Sequence, residues 1–113
     1  MIDVLIYTNP ENEYVAFRMK GHAGYAEYGK DIVCSAVSVL VINTVNSIEE
    51  FCPDGFRYDM EEEKDIVTFE ITTSPVSASA QLLLKSLVLG LNAIESEYGK
   101  KHVKVHYKKK QEV

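Results

Sequence analysis

Hydrophobic and polar positions alternate along several stretches of the chain and recur at helical spacing in two others. Ile2, Val4 and Ile6 alternate with Asp3, Leu5 and Tyr7, and Val15, Phe17 and Met19 alternate with Arg18 and Lys20. Period two is the signature of a strand with one buried face. Asn9-Pro10-Glu11-Asn12 between them has turn chemistry, so the two strands are expected to form an antiparallel hairpin. Phe56, Tyr58 and Met60, then Val67, Phe69 and Ile71, predict a second strand pair across a charged turn at residues 61–65. Val103, Val105 and Tyr107 alternate with His102, Lys104 and His106 and predict a last strand, followed by a frayed Lys108-Lys109-Lys110 tail.

Two stretches follow the helical period. Val33, Ala36, Val37, Leu40, Val41, Val45 and Ile48 mark one face, while Ser35, Ser38, Asn46 and Glu49 follow a more polar path. The many β-branched residues favour strand locally, but about twenty residues without a turn signal require a helix. Asp31 is a natural N-cap, placing Ile32, Val33 and Cys34 in the first turn, and Pro53 bars continuation. The second helix is expected to start at Ser74-Pro75, to bury Leu83, Leu84, Leu87, Val88, Leu91 and Ile94, and to end at Gly99. The order ββαββαβ gives an α+β fold in two layers, a mixed or antiparallel five-stranded sheet with two helices, over one domain, residues 1–113. The recurrence of ββα hints at a weak duplication.

Composition adds limits. A formal net charge of -5 argues against long-range attraction to nucleic acid, and suits a basic peptide partner or plain solubility. Met1 leads directly into a strand, so no signal peptide is expected. The longest unbroken apolar run, residues 39–42, is far too short to span a membrane. A helix starting near Cys34 and ending before Cys52 would separate the two cysteines by roughly 27 Å along its axis. A disulfide needs Cα atoms within about 7 Å. Two free thiols in a reducing cytoplasm are therefore expected.

The candidate chemistry lies in GHAGYAEYGKDIVCSAVSVL, residues 21–40. A strand delivers His22, a connection broken by Gly21, Gly24 and Gly29 follows, and a helix begins just before Cys34. A thiol in the first turn of a helix gains thiolate character from the dipole, and a nearby imidazole can take and return its proton. A free cysteine is equally a small buried hydrophobe, and His22 an idle loop histidine. Asp31 can cap the helix or orient His22. Ser38, one turn past Cys34, can bond within a site or back to its own helix. Tyr25 and Tyr28, with Gly24 and Gly29, form a loop that either closes over an extended peptide or packs its rings onto the body of the protein. Glycine gives this segment many backbone states, so it is expected to be loosely packed until substrate orders it. His102 and His106 read as merely solvated. Metal chemistry is disfavoured, because His22, Asp31 and Cys34 alone make a poor zinc set. There is no Walker loop, no phosphate-cradling glycine and arginine set after Cys34, and no resolving cysteine. No cofactor is expected.

GHA, a short loop and DIVCSAVS together resemble the signature of the ribosomal-processing cysteine protease family, Prp. The similarity in size and element order covers essentially the whole chain. It implies a thiol endopeptidase with Cys34 as nucleophile, His22 as proton donor and base, and Asp31, Gly21 and Ser38 as supporting motif positions. It further implies a homodimer that removes an N-terminal extension from a large-subunit ribosomal protein. The oxyanion would be held by backbone N–H groups at the helix start, and a catalytic Cys34 would titrate below about 8.5. The competing reading is a non-catalytic, ribosome-associated module that holds a peptide on the same sheet and loop.

Overall fold

A computed structural model describes residues 1–27 and 30–110. The elements are β1 (Ile2–Thr8), β2 (Tyr14–Lys20), α1 (Ile32–Phe51), β3 (Phe56–Glu61), a 3-10 turn (Glu62–Lys64), β4 (Ile66–Ile71), α2 (Ala78–Tyr98) and β5 (Val103–Lys109). This is the expected ββαββαβ order, and the strands form one mixed sheet in the order β3-β4-β2-β1-β5. All neighbours are antiparallel except β1 and β5, which run parallel with Val4 opposite Val105.

The alternation along each strand sorts residues between the two sheet faces. Val4, Ile6, Phe17, Met19 and Phe69 join one buried cluster with Val33, Val37, Val41, Val45 and Ile48 of α1 and Leu84, Leu87 and Leu91 of α2. Phe17 and Phe69 sit opposite each other in register and their rings stack at 5.1 Å. The alternate positions Asp3, Arg18, Arg57 and Lys104 are exposed. By length and composition α1 would pass for a membrane span, but its stripe of small branched residues is spent on this core. Thr44 joins that stripe although it is polar, because its Oγ1 donates to the Leu40 carbonyl at 2.7 Å. The two helices come close where Gly90 faces Leu40; a Cβ there would press on the leucine methyls.

Two boundaries differ from the sequence reading. The second helix is not capped at Ser74-Pro75 but at Ser77, whose Oγ accepts from Ala80 N–H at 3.0 Å. Buried Asp54 sets this start, accepting from Ser77 N–H at 2.8 Å and from the Ser77 hydroxyl. A carboxylate distant in sequence thus outranks the local Ser-Pro signal. Nor does the Lys108-Lys109-Lys110 segment fray: β5 continues to Lys109, Lys110 N–H donates to Thr8 O at 2.7 Å, and Lys110 Nζ lies 3.0 Å from Glu70.

Gln81 joins the layers by a polar contact inside the apolar stripe of α2. Its Oε1 accepts from Tyr14 N–H and its Nε2 donates to Tyr14 O, each at 2.8 Å, next to the register shift where β1 and β2 begin to pair. Gln81→Leu preserves size but strands both Tyr14 backbone groups. We expect a loss of about 1–3 kcal/mol in urea unfolding, the usual cost of an unsatisfied buried polar group.

Candidate active site

The site is built where β2 ends and α1 begins. Lys20 closes β2, and Gly21 turns the chain with φ 99°, a conformation that disfavours side chains. A Cβ on Gly21 would also run into the Met1 carbonyl oxygen. Gly21 N–H donates to Asp65 O at 3.1 Å, which ties the turn to the end of the 3-10 segment. Ala23 is buried, and its N–H donates to Cys34 Sγ at 3.2 Å. Its carbonyl lies 2.9 Å from His102 Nδ1. A carbonyl only accepts, so that nitrogen carries the ring proton.

Asp31 is the hub of the segment. Its Oδ1 accepts from Val33 N–H at 3.0 Å and Cys34 N–H at 3.1 Å, the N-cap geometry. Its Oδ2 accepts from Tyr25 N–H at 2.9 Å and Ala26 N–H at 3.4 Å. Burial raises the carboxyl pKa, but these four donors, that of Cys34 foremost, outweigh it and leave the pKa below its ordinary value. The cap and the loop anchor are therefore one group, and the bonds that secure Asp31 run to backbone rather than to His22. Residues 21–27 are accordingly held more firmly than their glycines suggest. Tyr25 sets its ring edge-on against Tyr98 and His102, 5.3 Å from each, while staying about half exposed. Tyr28 and Gly29, expected to belong to the same loop, lie outside the described residues.

Cys34 occupies the third position of α1, partly buried and unpaired with Cys52, which is also a free thiol. Its pKa lies above the ordinary thiol value. Burial is the main cause and the Asp31 carboxylate adds to it, against the Ala23 N–H and the N-terminal amine, which pull it down. The expectation of a thiol below about 8.5 is thus not met in this state. The positive end of the helix is present, but a carboxylate sits on it. The same contact engages the Val33 and Cys34 N–H groups, two of the donors expected at the helix start.

His22 Nε2 lies 2.9 Å from Asp65 Oδ2. A cleft of about 960 Å³ brings the two candidates together: His22, Cys34, Asp31, Gly21, Gly24 and Ser38 all line it. Glu61, Glu62 and Asp65 give its far wall a negative charge. Ser38, Gly21 and Asp65 also border an adjoining, mostly apolar pocket walled by Met19, Val37, Val41, Ile42, Tyr58 and Met60. A main chain lying in the cleft could place an apolar side chain there.

The family model described as Cysteine protease Prp matches residues 1–104. The chain belongs to the Prp family of cysteine proteases. It is 33% identical over 109 residues to the ribosomal processing cysteine protease Prp of Staphylococcus aureus strain Mu50, spanning 96% of this chain and all of that one. It is 31% identical over 101 residues to the protein of the same name from Bacillus subtilis strain 168, with 87% and 90% of the two chains covered. The crystal structure of the S. aureus ribosomal processing protease Prp with a covalently linked product peptide superposes with a TM-score of 0.89 at 30% identity, over 96% of this chain and all of that one. Membership in the Prp family makes this chain a cysteine peptidase and sets aside the non-catalytic module.

Three parts of this Prp site escaped the sequence reading. Asp65 stood in a charged turn and Ala23 had no distinguishing side chain. His102, read as merely solvated, holds the Ala23 carbonyl and packs on Tyr25. Only the fold brings Asp65 to the cleft and His102 to Ala23.

Asp31 generates two expectations. Its folded pKa is depressed, so its contribution to stability is full above the unfolded value near 3.9 and is lost as pH falls below that value. Asp31→Asn should therefore flatten the acid limb of a stability-against-pH curve. It should also lower the apparent pKa of Cys34, read from the pH dependence of iodoacetamide alkylation, because a raising charge has gone.

Proposed function

We propose that Cys34 and His22 form the catalytic pair of this Prp protease and that its substrate is the N-terminal segment of a large-subunit ribosomal protein. The observation that carries the reading is the single cleft lined by both residues, with a backbone donor resting on the sulfur. Substrate identity is supported by the names of the relatives, ribosomal processing proteases, and by the solved complex of one of them with a product peptide. The carboxylates on the cleft wall suit the basic tail of a ribosomal protein, which also binds an acidic chain more readily than nucleic acid would.

The reaction begins as His22 takes the Cys34 proton. The sulfur then attacks the carbonyl carbon of the scissile peptide, and the carbonyl π electrons move to its oxygen. The Ala23 N–H, freed from Sγ, then serves as a donor to that oxyanion. Collapse of the tetrahedral species expels the amine, which receives the proton from His22 and leaves a thioester. His22 next deprotonates a water, which attacks the thioester carbonyl and frees the N-terminal fragment as a carboxylic acid. The raised thiol pKa favours the protonated form, and in this reading proton transfer to His22 accompanies substrate binding. Gly21 and Asp31 support the pair by shaping the turn and capping the helix. Gly24 and Ser38 line the peptide path. The working form in this reading is a cytoplasmic homodimer, for which Leu82 and Leu89, exposed one heptad apart on α2, offer a stripe to cover.

Incubation with the organism's own ribosomal protein and mass measurement of the products tests the reading. Wild type should release a short N-terminal fragment, and Cys34→Ala none while keeping its thermal midpoint, since alanine suits a helix interior. Turnover by that variant close to wild type would exclude Cys34 as nucleophile. His22→Ala should lower kcat by about 10²–10⁴ with little change in KM, because a proton carrier acts in the transition state.

A further inference from the structure

We infer that Asp65 is the positioning residue for His22, completing a Cys34–His22–Asp65 arrangement in which Asp31 serves the helix instead. This inference rests on the assignment of Cys34 and His22 above.

Asp65 acts on His22 by two routes. Through its side chain, Oδ2 lies 2.9 Å from His22 Nε2. Through its main chain, its carbonyl accepts from Gly21 N–H at 3.1 Å, one residue before the histidine. The residue is itself held in place. It ends the 3-10 turn in the left-handed region, φ 54° and ψ 42°, and its N–H donates to Glu62 O at 3.2 Å. Among residues with side chains, Asn and Asp tolerate that region best. A carboxylate at this corner therefore has a fixed root from which to meet the ring.

The chemistry follows from which ring nitrogen is used. A carboxylate only accepts, so contact at Nε2 places the proton of the neutral imidazole there. Nδ1 then carries the lone pair and is the nitrogen that can take the Cys34 proton. Both partners are about half exposed, so solvent screens their Coulombic attraction and the main effect is orientation and tautomer choice. Asp31 cannot take this role while its two oxygens serve four backbone donors.

The test compares Asp65→Gly with Asp65→Asn. Both residues accept a positive φ, so the turn survives, but only Asn keeps an acceptor for Nε2. On the ribosomal-protein precursor, Asp65→Gly should lower kcat by about 100-fold with KM within about twofold, the scale of a misplaced catalytic group. Asp65→Asn should recover most of that loss. Independently of turnover, ¹⁵N resonances of the His22 ring, recorded in a Cys34→Ala background, should show Nε2 protonation with Asp65 and a mixed tautomer in Asp65→Gly. Wild-type kcat and unchanged ring resonances in Asp65→Gly, with His22→Ala still inactive, would overturn the role of Asp65 and leave the Cys34–His22 pair standing. A gain in kcat would overturn it too, showing that Asp65 restrains the histidine. If His22→Ala itself turned over like wild type, the pair and its positioning residue would fall together.

Discussion

The buried carboxylate of Asp31 is the constraint on which this site depends. One oxygen satisfies two N–H groups at the start of α1, and the other gathers the backbone at Tyr25 and Ala26. Helix starts carry orphan donors that need such a partner, and a loop of this composition has little else to fold around. One group thus ties the backbone at Tyr25 and Ala26 to the start of α1. Ala23 is then buried and its N–H rests on the sulfur. Removing the carboxylate would release the cap, the backbone at Tyr25 and Ala26, and with them the donor on Cys34 Sγ.

The same carboxylate sets a chemical conflict. A cysteine in the first turn of a helix ordinarily gains thiolate character from the dipole. Here the positive end is occupied by a negative group, and burial adds a larger penalty, so the thiol pKa is raised rather than lowered. Structure and reactivity draw on the same few backbone donors, and in the free protein structure has the claim. That arrangement suits an enzyme whose proton transfer is coupled to substrate. The end of β3, the 3-10 turn and Asp65 add negative charge to the cleft, and Asp65 pairs with His22.

Much of this was legible in the residue pattern. Period two and helical spacing mark the seven regular elements and their order, because burial of one face is a local, repeating demand that each segment states for itself. The Asp31 cap is equally local, three residues from the thiol. The motif GHA with DIVCSAVS pointed to the protease family for the same reason: its residues are close in the chain. Where the pattern misled, a distant group had intervened. Asp54 moved the start of α2 from Ser74 to Ser77, and Thr8 with Glu70 held the lysine tail.

The sequence alone determined the element order, the capped helix start and the placing of a histidine and a cysteine on either side of a glycine-rich turn. These follow from periodicity, capping chemistry and short spacing, all of which act within a few residues. The tertiary structure alone decided the strand order β3-β4-β2-β1-β5, with β5 parallel to β1, and therefore which side chains reach the cleft. It assigned Asp31 to backbone, Asp65 to His22 and His102 to Ala23. Hydrogen bonds between residues 43 or 79 apart in sequence leave no periodic trace, since only the packing of the sheet edge against the helix ends brings their donors and acceptors within 3 Å.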